Sequence, residues 1–239
     1  MSVVSLDFNR ISLSDEPINQ HINQLIEATA LPSPNRRCYL GASAIGSECL
    51  RKTQFDWWCD PEFPVRVQDI FERGHWAEGR TRQHLVKAGF VFAPAERLEF
   101  KAADGYFRGH ADGIIDSGPD VPGLSYPCVW ECKCLKAKGW RAIERDGLTS
   151  LYAVYAAQVA IYQAYLDVVN PALFSVVNAD TCERLHFAVP FNAQLAQRMS
   201  DRAVMIIAAT RAGELLPRVT EDPDDWRCRM CSHRTRCWR

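Results

Sequence analysis

The chain has 239 residues, 47% hydrophobic and 24% charged, with a formal net charge of −1. That length suits one large domain, or one domain with an appendage. No apolar run approaches the roughly 18 residues that a membrane helix needs, and the charge balance argues mildly against a protein that coats nucleic acid. A local basic channel stays open. The first residues, MSVVSLDFNRISLSDEPINQ, lack the basic and then apolar plan of a signal peptide, so a cytoplasmic protein is expected.

In chain order, an amphipathic helix is expected over Ile18 to Ala30, followed by Pro32-Ser33-Pro34. Residues 1–35 read as an N-terminal appendage, 36–215 as the core and 216–239 as a cysteine-rich closing segment. Ser43 is an N-cap candidate for a helix running into Cys49-Leu50-Arg51-Lys52 and the aromatics Phe55, Trp57 and Trp58. A long helix is expected over Val67 to Ala88, closed by Gly89. Val91 to Phe100 reads as one strand and Tyr106 to Asp116 as another, joined by the turn Ala102-Ala103-Asp104-Gly105. After a Gly/Pro-rich loop comes the strand Pro127 to Leu135. Lys136, Lys138, Arg141 and Arg145 then read as a surface turn. An apolar helix is expected from Leu151 to Val169, strands over Phe174 to Asn178 and Glu183 to Val189, and a helix over Phe191 to Ala212. The tail from Leu216 reads as irregular. This order gives an α/β or α+β core, with a mixed central sheet flanked by helices.

The strand Pro127 to Leu135 carries Glu131-Cys132-Lys133. Side chains alternate along a strand, so Glu131 and Lys133 share one face and Cys132 takes the other. A buried carboxylate and ammonium are costly unless compensated. Pairing this strand with the run that contains Gly109-His110-Ala111-Asp112 would set Asp112 beside Glu131. Two carboxylates and a lysine at one spot suit a divalent cation and a phosphate better than a core. Gly74 and Glu78 lie one helical turn apart, and the glycine is expected to let the helix approach the sheet. Taken alone, Glu78 reads better as a solvated surface residue. Gln158 and Tyr162, with Tyr155 on the same side, put polar groups on an apolar helix, where they need partners.

Ten cysteines are many for a reducing compartment, where disulfides are disfavoured and ligation gains weight. Cys38, Cys59, Cys128, Cys134 and Cys182 read as small buried hydrophobes. Cys228, Cys231 and Cys237 cluster in the tail, and Cys49 is the natural fourth ligand, with Cys59 a weaker rival. His233 keeps a zinc Cys₃His site open.

The series G-x-x-x-E, G-h-x-D, E-x-K and Q-x-x-x-Y, in this order, resembles the PD-(D/E)XK nuclease superfamily. It is most similar to the RecB-like branch, which includes phage exonucleases and the CRISPR-associated exonucleases. The resemblance runs from about Ser43 to the C-terminus and implies a restriction-endonuclease-like core. CRISPR-associated members often carry a histidine where Glu78 falls, so the chain looks more like a phage-type member, with His75 a rival one turn earlier. By this resemblance Asp112 and Glu131 hold one or two Mg²⁺ or Mn²⁺ ions, with Glu78 and the backbone carbonyl of Cys132 as further ligands. Lys133 orients a water and stabilises charge on the phosphate. Gln158 and Tyr162 line the DNA path, and Lys136, Lys138 and Arg141 meet phosphates. Cys49, Cys228, Cys231 and Cys237 resemble the iron–sulfur staple of the same branch and imply a 4Fe–4S cluster. The expected function is a metal-dependent deoxyribonuclease, an exonuclease on DNA ends or single strands. The alternatives are a non-catalytic DNA-end binding module of the same fold, or an accessory nuclease of CRISPR spacer acquisition whose protein partner the sequence does not name.

Overall fold

The structure, a computed structural model, describes residues 12–30, 38–58, 63–148 and 152–239. It is a mixed α/β arrangement with two sheets where the sequence suggested one. The elements in order are α1 (Pro17–Glu27), β1 (Leu40–Gly41), α2 (Leu50–Trp58), α3 (Val65–Lys87), β2 (Val91–Phe92), β3 (Glu99–Ala102), β4 (Phe107–His110), β5 (Gly113–Ser117), β6 (Cys128–Leu135), α4 (Ala137–Asp146), α5 (Ala153–Tyr165), β7 (Ala172–Asn178), β8 (Arg184–Val189), α6 (Ala193–Arg211), α7 (Trp226–Arg229) and α8 (Arg234–Cys237). The larger sheet has the order β2-β5-β6-β7-β8 and the smaller β1-β4-β3. Only β6 and β7 run parallel in the larger sheet, and α4 and α5 form the crossover between them. No helix among the described residues is long and apolar enough to cross a membrane.

β6 is central because both of its faces are covered. Trp130 and Cys132 pack with Ala77 and Leu85 of α3, whereas Val129 joins the main core with Ile161 and Tyr162 of α5. All seven residues of β7 are buried, as expected for a strand covered on both sides. The close approach of α3 rests on Ala77 and Thr81, not on Gly74: a Cβ at Gly74 would meet nothing within 4 Å.

Several expectations are corrected. The run Tyr106 to Asp116 is two strands in two different sheets, because the chain turns at Ala111 and Asp112 and sends the Asp112 carboxylate inward. Val91 to Phe100 is interrupted at Pro94, which has no amide to give a ladder, and resumes as β3 after a short 3₁₀ turn. Ser43 caps nothing; it lies inside the 3₁₀ turn Ala42–Ala44. The expected surface turn after Lys136 is the helix α4, whose Trp140 and Ile143 form an inward stripe. The tail is not irregular throughout, since it contains α7 and α8. Cys38 and Cys182 are exposed and Cys134 is partly exposed, while Cys128 is buried as expected. Pro32-Ser33-Pro34, Cys59 and Leu151 lie outside the described residues.

The tail is docked on α2. Gln54, which is fully buried, accepts from the Leu216 amide at 3.1 Å and donates to the Glu214 carbonyl at 2.6 Å. Arg51 Nε donates to the Leu216 carbonyl at 2.6 Å. Helix α1, by contrast, buries none of its residues.

Gly109 of β4 is the tightest point between the sheets and α5. A Cβ there would sit 2.4 Å from Phe100 Cε1 and 2.6 Å from Tyr162 Cε1. Gly109→Ala is therefore expected to lower unfolding free energy by about 1–3 kcal/mol, as overpacking does. Chemical denaturation measures it, and an unchanged midpoint would show that the rings yield freely.

Candidate active site

The antiparallel register of β5 and β6 sets Gly113 opposite Trp130. Asp112, one residue before β5, therefore meets the next residues of β6. Its Oδ2 accepts from the Cys132 amide at 2.8 Å. Glu131 and Lys133 share a face of β6 and form an ion pair, and the Cys132 thiol points to the α3 side, where it hydrogen-bonds with the Thr81 hydroxyl. From that side Glu78 brings a third carboxyl into the electrostatic reach of Asp112 and Lys133.

The electrostatics are those of crowded acids. Glu131 has no solvent exposure, and its Oε2 has no hydrogen-bond partner. Burial, with the Asp112 charge adding to it, pushes the Glu131 carboxyl up to about 8. Burial and the Asp112 charge likewise push Glu78 up to about 7. Burial also raises Asp112, against the pull of Lys133 and the Cys132 amide. Lys133 is held protonated: the charges of Glu131 and Asp112 outweigh its own desolvation. One ammonium thus faces three carboxyl groups.

The neighbouring helix completes the wall. Gln158 Nε2 donates to Tyr162 Oη at 3.2 Å, and both residues are buried. Tyr155, one turn before Gln158, places its ring 5.3 Å from Lys133 Nζ, a cation–π contact that the sequence did not give. His110 was also passed over. It ends β4 and its charge acts on Asp112, as does that of the exposed His75. Lys136 precedes α4, and Lys138 and Arg141 lie on it; all three are exposed.

Cys49, Cys228, Cys231 and Cys237 line one cavity of about 130 Å³, together with His233 and Lys52. No disulfide joins the described cysteines. His233 is buried, and its Nε2 is 2.8 Å from Asp56 Oδ1, so one ring nitrogen is already committed. Among the described residues, no group of three or more His, Cys, Asp or Glu side chains is arranged to hold a metal ion as it stands.

The raised carboxyl groups predict a pH dependence. Glu131 changes charge at about 8 when folded and at 4.5 when unperturbed, and Glu78 at about 7 against 4.5. Between those values the folded chain holds more protons than the unfolded one, so stability falls as pH rises through the window. Metal-free protein is expected to melt lower at pH 8.5 than at pH 6, and Glu131→Gln is expected to flatten the slope. Calorimetry in metal-depleted buffer tests this; a flat melting temperature would mean that these acids are ionised throughout.

No family model matches the chain, and no curated protein matches it. Similarity is found among solved structures. The alkaline exonuclease LHK-Exo from Laribacter hongkongensis superposes with a TM-score of 0.53 at 13% identity, over 74% of this chain and 90% of that one. The same exonuclease in complex with dAMP gives a TM-score of 0.54 at 13% identity, with the same coverage. The chain therefore has a nuclease-like α/β fold, similar to that of this exonuclease.

Proposed function

We propose that the chain is a metal-dependent deoxyribonuclease, an exonuclease acting on DNA ends or single strands in the cytoplasm. The observation that carries this reading is the orphaned Oε2 of Glu131, a fully buried carboxyl oxygen with no partner, within electrostatic reach of Asp112 and Glu78. The hard oxygen donors of these carboxyl groups fit Mg²⁺ or Mn²⁺. Asp112, Glu131 and Glu78 would hold the ion, with the Cys132 carbonyl as a further donor. When bound, such an ion lowers the pKa of water and neutralises charge on a phosphate. Lys133, only 21% exposed at its side chain, keeps its proton and meets the charge that grows on the phosphoryl oxygens. The Tyr155 ring and the Glu131 carboxylate fix its ammonium from two sides. Gln158 and Tyr162 border the strand path, and Lys136, Lys138 and Arg141 offer exposed cations to the phosphates beyond it.

The test is cleavage of an end-labelled oligonucleotide with and without Mg²⁺ or Mn²⁺. Wild type is expected to degrade it only with metal, and Lys133→Ala to be slower by about 10²–10³-fold, the usual loss on removing one charge-stabilising donor. Equal degradation by both proteins would remove Lys133 from the chemistry. No degradation with any metal would sink the activity and leave a DNA-binding module of the same fold.

The same reading puts a 4Fe–4S cluster on Cys49, Cys228, Cys231 and Cys237, joining the segment 216–239 to the core 36–215. Support comes from four thiols around a single cavity of about 130 Å³, which has room for more than one ion. Zinc is the competing occupant. Anaerobically purified protein should be brown and contain iron and labile sulfide. Cys231→Ala should lose the colour and melt earlier, because metal binding across so long a loop is coupled to folding. Colourless protein with one zinc per chain would overturn the cluster.

A further inference from the structure

The last fourteen residues, Trp226 to Arg239, contain five arginines and no acidic residue, on a chain whose net charge is −1. Some of this charge is spent locally. Arg227 pairs with Asp225 at 2.8 Å and Glu48 at 3.2 Å, and Arg234 pairs with Asp224 at 3.0 Å. Arg236 lies over the Phe55 ring at 5.6 Å. Arg229 and Arg239 are exposed and form no ion pair among the described residues. Beside Arg229 stand Trp226, 67% exposed, and Met230, 83% exposed, one turn apart. Together they present an apolar face beside the Arg229 guanidinium. An exposed guanidinium one helical turn from an open indole matches a single nucleic-acid strand, which presents phosphates and base faces together.

This patch sits on a firm base. His233 and Asp56 tie the segment to α2, as do Arg236 and Phe55. Residues 42–49 link the cavity beneath the segment to the wall of the acid site. Ala42 lies against Gly109 beside the Tyr162 ring, and Gly46 lies against Val154 and Ala157, on the helix that carries Gln158 and Tyr162. The far end of the same stretch, Cys49, lines the cavity from which the segment emerges.

We infer that Trp226, Arg229 and Arg239 form a second contact for single-stranded DNA. It grips the strand away from the bond being cut and sets a preference for long substrates. The inference rests on the proposed nuclease reading and names a subsite for it. The test is fluorescence anisotropy with a labelled single strand of about 30 nucleotides and another of about 8, without added divalent cation. The proteins compared are wild type, Arg229→Gln/Arg239→Gln, Arg229→Lys/Arg239→Lys and Trp226→Ala. The Gln pair should bind the long strand about tenfold more weakly and flatten the log–log salt slope by about 1.4, or roughly 0.7 per lost phosphate contact. The Lys pair should keep the slope, which separates charge from folding. Trp226→Ala should cost about fivefold or more through lost stacking. Affinity for the short strand should be unchanged throughout. If affinity and salt slope for the long strand match wild type in all variants, the contact does not exist. If the Gln pair binds weakly but wild type never cleaves, the nuclease reading fails and the contact stands. If wild type cleaves and the variants bind equally, only the contact fails.

Discussion

Glu131 is a carboxylate carried on the central strand with no access to water, and the architecture around it follows from that placement. An isolated buried charge is among the most unfavourable groups that a fold can contain. Lys133 offsets part of the cost from two residues away, which only a strand allows, because alternation brings both side chains to one face. The ammonium is steadied in turn by the Tyr155 ring, and α5 covers this side of the sheet with Gln158 and Tyr162 bonded to each other. The compensation is incomplete. Asp112 and Glu78 add negative charge, not positive, and one oxygen of Glu131 is left without a partner. A core selected for stability alone would replace such a group, since well-packed apolar residues serve as well or better. Its presence is the physical feature that the proposed metal site would account for.

The acid–lysine geometry was legible in the sequence because it depends on local rules. Period-two alternation put Glu131 with Lys133, and antiparallel neighbours put Asp112 beside them; neither step needed long-range information. What stayed hidden depended on tertiary packing. Gly74 looked like the point of close approach, yet that role belongs to Ala77 and Thr81, whose burial no spacing reveals. The division of Tyr106 to Asp116 between two sheets was hidden for the same reason. Its alternation continues across Ala111 and Asp112, and only the pull of the Cys132 amide on the Asp112 carboxylate shows where the chain must turn. Helix α4 was missed because its charged residues dominated the reading, although Trp140 and Ile143 stand at helical spacing.

The tail poses the opposite case. Three cysteines within ten residues are conspicuous in any sequence, and adding Cys49 brought together the residues that now line one cavity. Yet the forces that bring the tail to α2 come from residues with no motif. Gln54, Arg51 and Asp56 are ordinary helix residues by pattern, and each is committed to the tail more than 150 positions later in the chain. Their bonds hold carbonyls, an amide and an imidazole of the tail against α2.

The two sites are mechanically joined, although they share no side chain. The stretch from Ala42 to Cys49 has the smaller sheet and Tyr162 at one end and the cysteine cavity at the other. Its middle cannot shift toward α5, because Gly46 already lies so near Val154 and Ala157 that even a methyl group would collide at 2.6 Å. A disturbance at the cysteines would therefore reach the acid site by moving its wall, through Ala42, Gly109 and Tyr162. The acids themselves sit on β6, at the edge of β5 and on α3. The fold thus separates the charged groups on β6, β5 and α3 from the wall formed by Ala42, Gly109 and Tyr162, and it is this wall that the stretch from Cys49 touches.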